Sequence, residues 1–285
     1  MQLKINKKQH SLVSICIPTY NGEKYLQQAL DSVKKQTYPN IEVIISDDNS
    51  IDKTLEICEK FKLEVDFPVQ IYHHTPQGIG QNWDNTIKNS NGKYIKLLFQ
   101  DDVLKENCID VMLDYLLKNN LEIVFSKREI IDENSIPSNS DFLVRFGDLQ
   151  LGINLYIDDF YIFRKKDLRL LGSKRENSLQ YNFLGEPVAT LFSRKLYDDI
   201  GSFESPLKQF LDLEYWLKVL RKYPIGIISQ KLIQFRIHQD QASAINFKNK
   251  INEVAYIEKI FLKFFFSRLS FNQQKKMIKK IIWSK

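Results

Sequence analysis

The chain has 285 residues, of which 43% are hydrophobic, 12% aromatic and 27% charged, enough for one large α/β domain or two modest ones. Ordinary apolar content with only ten glycines and eight prolines excludes disordered, collagen-like and low-complexity classes. The formal net charge of +6 gathers at the C-terminal end, where residues 259–285 hold eight Lys/Arg and no acid; the near-neutral remainder argues against a basic face for nucleic acid.

Lys4, Lys7 and Lys8 ahead of an apolar stretch imitate a signal peptide. The stretch is short, lacks a small-residue cleavage site and runs into Pro18-Thr19-Tyr20-Asn21, so it reads as a first strand over 12–17. Tyr25, Leu26, Ala29, Leu30 and Val33 predict a helix over 24–36, stopped by the turn signal Thr37-Tyr38-Pro39-Asn40. Strands follow at 41–46, 69–73, 94–99 and 121–125, with helices at 52–61, 78–89 and 105–117 between them. This alternation of continuous apolar strands with helices predicts an α/β fold with a mostly parallel central sheet flanked by helices. Residues 127–185 mix Asn, Ser and Asp with Phe142, Phe146, Tyr156, Phe160, Tyr161 and Phe163 in no clear period, as loops that cover a site do. Regular patterns return as a strand at 188–192, a helix at 212–222, strands at 225–228 and 232–237, and a helical C-terminal extension.

Cys16, Cys58 and Cys108 are scattered without CxxC spacing, which excludes a disulfide scaffold or zinc knuckle and fits a reducing cytoplasm. No apolar run reaches the roughly 20 residues of a membrane span. Ligands of parallel sheets collect beyond the carboxyl ends of the strands. Three such ends stand out: Pro18-Thr19-Tyr20-Asn21-Gly22, Asp47-Asp48-Asn49-Ser50 and Gln100-Asp101-Asp102. Asp101 and Asp102 repel each other unless an oxygen-liking divalent cation joins them; the alternative is a helix cap beside a solvated partner. Asp47 and Asp48 read either as Asx-turn formers or as a carboxylate for the imide N–H of a pyrimidine base. Asp212 opens a helix and is either its N-cap or a general base. His238, at another strand end, is either packed or a metal ligand, whereas His73-His74 reads as structural. Gly78-Ile79-Gly80 lacks the last glycine of a dinucleotide fingerprint and follows the wrong strand.

In this order the motifs resemble glycosyltransferase family 2, the large GT-A family of inverting sugar transferases. The stretch from Val13 to Gly22 is similar to its opening strand and loop, and that from Ser32 to Ser50 to its nucleotide-binding segment. Gly92-Lys93-Tyr94-Ile95 leading into Gln100-Asp101-Asp102 resembles its metal-binding strand end. The resemblance covers 11–126 and, more loosely, 183–245. It implies a GT-A domain over 1–245, with a nucleotide-binding half (11–126) and an acceptor-side half (127–245), followed by a basic amphipathic helical tail (246–285). It further implies that Pro18, Tyr20, Asn21 and Asp48 border the nucleoside, Asp48 nearest the base, with Asp101 at the ribose. Asp102 and His238 would hold Mg2+ or Mn2+, and Asp212 would be the general base. The donor would be a UDP- or dTDP-linked sugar and the acceptor a glycan or a lipid-linked glycan.

One departure stands out. Where the family often has Asp-x-Asp-Asp, this chain has Phe99-Gln100-Asp101-Asp102 and has lost the first carboxylate. None of Trp83, Trp216 and Trp283 follows an arginine, so the Gln-x-x-Arg-Trp motif of processive members is missing and one sugar per encounter is expected. Glu186, in Gly185-Glu186-Pro187, either meets an acceptor hydroxyl or braces a turn. In the tail, Met277, Ile278, Ile281 and Ile282 alternate in pairs with Lys275, Lys276, Lys279 and Lys280. With Phe264, Phe265 and Phe266 these resemble a helix lying on an anionic membrane surface, or else a helix packed on the body. A cytoplasmic location, including the inner face of the membrane, suits both. A non-catalytic nucleotide- or glycan-binding protein of the same fold, or a phosphate sensor with paired aspartates, are the competing classes.

Overall fold

The computed structural model describes residues 11–138, 147–171, 182–203 and 206–283, without the side chains of 280–283. Lys4, Lys7, Lys8, Phe142 and Phe146 lie outside the described residues, as do the side chains of Lys280, Ile281 and Ile282. The first half is the expected alternation. Strand β1 (Val13–Thr19) leads to α1 (Leu26–Lys34), β2 (Ile41–Asp47), α2 (Thr54–Leu63), β3 (Val69–His73), α3 (Ile79–Lys88) and β4 (Tyr94–Leu97). Every residue of β1, β2 and β4 is buried, which is why their sequences are continuous apolar runs rather than alternating ones.

Then come β5 (Val103–Leu104), α4 (Cys108–Lys118), β6 (Ile123–Ile131), β7 (Phe160–Phe163) and β8 (Thr190–Ser193). They are followed by α5 (Arg194–Ile200), α6 (Leu211–Leu220) and β9 (Ile225–Arg236). The sheet runs β3-β2-β1-β4-β8-β6-β9-β5, with β7 also on β9. The expected parallel pairing holds for β3, β2, β1 and β4. Beyond β4 the sheet is mixed, because β8 inserts antiparallel to both β4 and β6. It arrives from the irregular segment, after the strand–helix alternation has ended. The two strands expected at 225–228 and 232–237 are one strand: its register against β6 jumps from Ser126↔Ile228 to Lys127↔Lys231, so the polar Ser229-Gln230 is a bulge, not a turn.

Aromatic packing holds α6 in place. Phe203 stacks on Tyr215 at 3.7 Å between centroids, and the fully buried Trp216 meets Phe125 edge-on at 5.0 Å. The Trp216 indole N–H donates to Gly185 O at 3.0 Å, tying this helix to the turn that carries Glu186.

The C-terminal extension is helical as expected, with α7 (Ala242–Lys248), α8 (Val254–Ile260) and α9 (Phe271–Trp283), and a π-turn at Phe261–Phe265. Its apolar stripe is used partly on the body: Ile257, Phe261, Phe265, Leu269 and Met277 are buried. Phe264 is covered by the Arg221 guanidinium at 3.8 Å. Phe265 and Met277 are therefore lost to a membrane-facing side, while Phe271 and Ile278 stay exposed. Among the described residues no helix is long and apolar enough to cross a membrane.

The start of β4 is set by a close backbone approach. Gly92 N–H donates to Ser14 Oγ at 2.7 Å, and Ser14 Oγ donates to the buried Glu42 carboxylate at 2.6 Å. A Cβ on Gly92 would stand 2.6 Å from the Ser14 backbone nitrogen, so neither side can yield cheaply. Gly92→Ala is expected to destabilise the protein by about 1–3 kcal/mol, the usual penalty of overpacking, read as an earlier urea midpoint with unchanged slope.

Candidate active site

The loops after β1 and β2 are sewn together by side chains. Asp47 has both oxygens engaged: Oδ1 accepts from Thr19 Oγ1 at 2.9 Å and from Ser50 Oγ at 2.6 Å, and Oδ2 from Ser50 N–H at 2.8 Å. It is the turn former of the acidic pair, helped by Asn49 in the left-handed region at φ +61°. Pro18 is buried in β1 opposite Ser46. Asn21, at φ +46°, accepts from Ile51 N–H at 3.0 Å, while its own N–H donates to Ser50 Oγ at 2.8 Å. Tyr20 leaves its ring 56% exposed at the loop tip. Gln100 clasps that tip: its Oε1 accepts from Tyr20 N–H at 2.8 Å and its Nε2 donates to Tyr20 O at 3.0 Å. The clasp runs over Gly22, where any Cβ would collide with the Gln100 amide.

Asp48 turns the other way and is only 8% exposed. Its carboxylate is hydrogen-bonded to His74 Nδ1. Burial raises the Asp48 pKa, opposed by that hydrogen bond and by the charge of a protonated His74. His74, expected to be structural, is thus the partner of a proposed base-binding residue. The neighbouring strands supply it: His73 stands opposite Asp47, and His74 N–H donates to Asp47 O at 2.7 Å.

At the end of β4, Asp102 is 1% exposed. Its Oδ1 accepts from Arg236 N–H at 2.9 Å, and its Oδ2 is buried without a partner. Burial, then the neighbouring Asp101 charge, push its pKa well above the usual carboxylate range. Asp101 Oδ2 lies 3.0 Å from His238 Nε2, and the other ring nitrogen, Nδ1, is buried with no partner. When Nε2 carries the proton for Asp101, Nδ1 keeps a free lone pair; a carboxylate behind an imidazole is how a metal-binding histidine is oriented. Where the family pattern has its first carboxylate, Phe99 instead stacks on Trp83 at 5.0 Å. Among the described residues no three His, Cys, Asp or Glu side chains converge into a metal site by themselves. Asp102 Oδ2 and His238 Nδ1 are each a buried acceptor without a partner, donor types that a Mn2+ or Mg2+ ion takes while keeping waters and phosphate oxygens in its remaining positions.

Asp212 is not the N-cap of α6; Phe210 is, and Asp212 stands in the first turn. Its Oδ1 accepts from Leu213 N–H at 2.7 Å and its Oδ2 from Asn182 Nδ2 at 2.7 Å. Burial, with a smaller push from the Glu186 charge, raises its pKa to about 7 against those two hydrogen bonds. Glu186 is ion-paired to the buried Arg128 at 2.7 Å. Its turn is braced from below by Lys96, whose Nζ donates to Val188 O and to Leu97 O at 3.0 Å, and which burial lowers to about 8.

Asp101, Asp102, Glu186 and Asp212 line one cavity of about 160 Å³, walled by Trp83, Phe99, Gln209 and Asn246. The structure thus brings together Asp101, Asp102 and Asp212, with His238 attached through Asp101. Asp48 is not on this cavity; it sits two strands away, beyond β1, with Asn21 and Tyr20 on the loop between. Sequence reasoning missed His74, Asn182, Gln100 and Arg236, whose partners are all distant along the chain.

A family model described as glycosyl transferase family 2 matches residues 14–178. An uncharacterized glycosyltransferase of Rickettsia conorii is 31% identical over 236 residues, covering 82% of this chain and 35% of the relative, so the chain spans about a third of that protein's length. The UDP-Glc:alpha-D-GlcNAc-diphosphoundecaprenol beta-1,3-glucosyltransferase WfgD of Escherichia coli is 32% identical over 126 residues, 44% of this chain and 49% of that one. Among solved structures, S. aureus TarS 1-349 in complex with UDP superposes with a TM-score of 0.61 at 19% identity, over 89% of this chain and 70% of that one. At that identity the likeness is one of fold: the arrangement is GT-A.

The Asp102 environment has a measurable sign. A carboxyl whose folded pKa lies above its unfolded value keeps its proton longer when folded, so its contribution to stability is lost as pH rises from the unfolded pKa through the folded one. Asp102→Asn, which retains an oxygen for Arg236 N–H, is expected to gain thermal stability relative to the parent between pH 4 and pH 8 in metal-free buffer. An unchanged difference across that range would mean that Asp102 is not held in the protonated form.

Proposed function

The chain belongs to glycosyl transferase family 2, and from that premise we propose that it moves one sugar per encounter from a nucleotide-diphosphate donor to a hydroxyl of a glycan or lipid-linked acceptor, with inversion. The observation that carries this reading is Asp212: a carboxylate raised to about 7, in the same cavity as the acid pair of β4. A general base works best with a pKa near the operating pH, and a carboxylate at its ordinary value would be a weaker one.

In this reading the donor lies along the carboxyl ends of β2, β1 and β4. Asp48 accepts the imide N–H of a pyrimidine base, which favours UDP- or dTDP-linked sugars, and His74 fixes the carboxylate that does so. Asn21 and Tyr20 border the nucleoside over Pro18. Asp102 and His238 would hold a divalent ion, with Asp101 orienting the histidine rather than serving the ribose alone. When bound, such an ion would supply charge stabilisation for the diphosphate leaving group. Asp212 takes the proton of the acceptor hydroxyl as its oxygen attacks the anomeric carbon; the new C–O bond forms opposite the breaking bond to phosphate. Asn182 keeps the Asp212 carboxylate aimed, and Glu186, charge-balanced by Arg128, stands on the acceptor side. A diphosphate-lipid acceptor, such as the name of the E. coli relative specifies, fits the acidic cavity only at its sugar end.

The base has to be ionised to act. Transfer by the parent is therefore expected to be about tenfold faster at pH 8 than at pH 6, rising through about 7. Asp212→Asn is expected to lower kcat by roughly 10²–10⁴-fold and to leave UDP affinity within a factor of two. Full activity in that variant with any donor and Mn2+ would remove Asp212 from the reaction.

We further propose that the basic tail holds the protein at the inner face of a membrane. Lys259, Lys263, Lys275 and Lys279 accompany the exposed Phe271 and Ile278, and each basic residue at an anionic leaflet contributes about 1 kcal/mol. Binding to phosphatidylserine-containing vesicles is expected at low salt, weakened about tenfold or more by Lys275→Glu with Lys279→Glu. Equal binding to neutral vesicles would count against it.

A further inference from the structure

The loop that enters α6 is held by a residue from far along the chain. The amide of Lys208 donates to Glu253 Oε1 at 2.6 Å, and those of Gln209 and Phe210 donate to Glu253 Oε2 at 2.9 and 3.1 Å. Three successive backbone N–H groups on one carboxylate form an anion nest, and this nest lies at the positive end of a ten-residue helix. A second tie comes from Asn246, whose Nδ2 donates to Lys208 O at 3.1 Å.

The clasped residues are the wall of the site. Lys208, Gln209, Leu211 and Asp212 all line the acidic cavity, and Lys208 also lines an adjoining cavity of about 640 Å³ with Gln77, Ile79 and Ala242. Asp212 stands two residues beyond the last clasped amide. Glu253 makes no contact with that carboxylate, and its own backbone carbonyl accepts the first turn of α8 from Tyr256 N–H at 3.0 Å. It therefore locks the C-terminal segment to the entrance of α6.

We infer that Glu253 is a positioning residue for sugar transfer: its carboxylate sets the place of residues 208–210 and, through them, of Asp212 and the acceptor wall. The inference rests on the reading of Asp212 as the base. Without the carboxylate the three amides lose their shared acceptor, and the loop can relax by the ångström or so that separates a productive alignment from a poor one. A glutamine keeps the shape but offers one acceptor oxygen, and its amide group would oppose an N–H. The donor half, built on β1, β2 and β4, is not part of the clasp.

The experiment compares the parent with Glu253→Ala and Glu253→Gln in full-length protein. Transfer is expected to fall at least tenfold in both, with UDP affinity within a factor of two of the parent. Formate, a small carboxylate able to enter the emptied nest of Glu253→Ala, is expected to restore at least half of the lost rate in a saturable manner; a merely structural loss would not respond to it. Amide exchange at residues 208–210 is expected to accelerate at least tenfold in both variants and to slow again with formate in Glu253→Ala. Parent-level transfer in the variants while these amides exchange fast would overturn the inference, as would unchanged exchange whatever the turnover. A parent that transfers no sugar under any condition would instead sink the reading of Asp212, a result separable from both.

Discussion

Two carboxylates follow one another in the turn between β4 and β5, Asp102 almost wholly buried and Asp101 partly so, and the surroundings are arranged around their charge. Arg236 is the main compensation. Its backbone N–H holds Asp102 Oδ1, its Nε donates to Asp101 O at 2.9 Å, and its remaining donors go to Asp132 O, Ser135 Oγ and Gln28 Oε1. The guanidinium is thereby fixed beside the pair without spending itself on either carboxylate. Its field lowers the Asp102 pKa, but burial and the Asp101 charge outweigh it. An unsatisfied buried acceptor costs about 1–3 kcal/mol, so Asp102 Oδ2 is a small store of unfavourable energy that a cation would release on binding. Were a divalent ion bound there, its affinity and the stability of the empty fold would be set against each other at this one atom.

The acids of the site illustrate how environment divides labour among identical side chains. Asp47 has both oxygens engaged, by Ser50 in its own turn and by Thr19 on β1. Asp48, one residue on, has a single histidine partner. Asp101 is committed to His238, Asp102 keeps one oxygen bare, and Asp212 accepts two hydrogen bonds yet is still raised to about 7 because burial is the larger effect. Pairs whose environments separate their proton affinities are what an acid–base mechanism needs. The loss of the family's first carboxylate is consistent with this economy. Phe99 replaces it in an aromatic stack with Trp83, and the stack gives the cavity an apolar wall in place of a third buried charge.

The first half of the chain was legible because β1, β2 and β4 are covered on both faces, so each announces itself as an apolar run followed by polar residues. The parallel register then fixes that the ends of β1, β2 and β4 share one edge. What the sequence hid is contact across long separations. His74 lies 26 residues from Asp48 and Asn182 lies 30 from Asp212, and neither spacing carries a helical or strand period. The antiparallel entry of β8 was hidden for the same reason, since its partners are chosen by the sheet edge left open after β4. The bulge at Ser229-Gln230 looked like a turn because both are polar, exposed pleats and turns being alike in composition. In the tail the expected stripe included Phe265, Met277 and Ile278, but a helix period does not say what covers such a stripe. Phe261 and Phe265 are covered by the body itself.

The two walls of the site are built on different physical terms. The wall formed by the ends of β1, β2 and β4 hangs on strands that are buried throughout, so a change there is resisted by the whole core. The opposite wall is assembled from a turn around Glu186, the entrance of α6 and the start of the C-terminal segment, with Ala242, Ser243 and Asn246 on the same cavity as Asp212. These pieces meet through Trp216 on Gly185 O, Asn182 on Asp212, and Glu253 on the amides of residues 208–210. A few directed polar contacts are easier to rewire by single substitutions than a packed sheet is. Under the proposed assignment of donor and acceptor sides, this wall is therefore the one that single substitutions reshape, while the wall carried by the strands stays fixed.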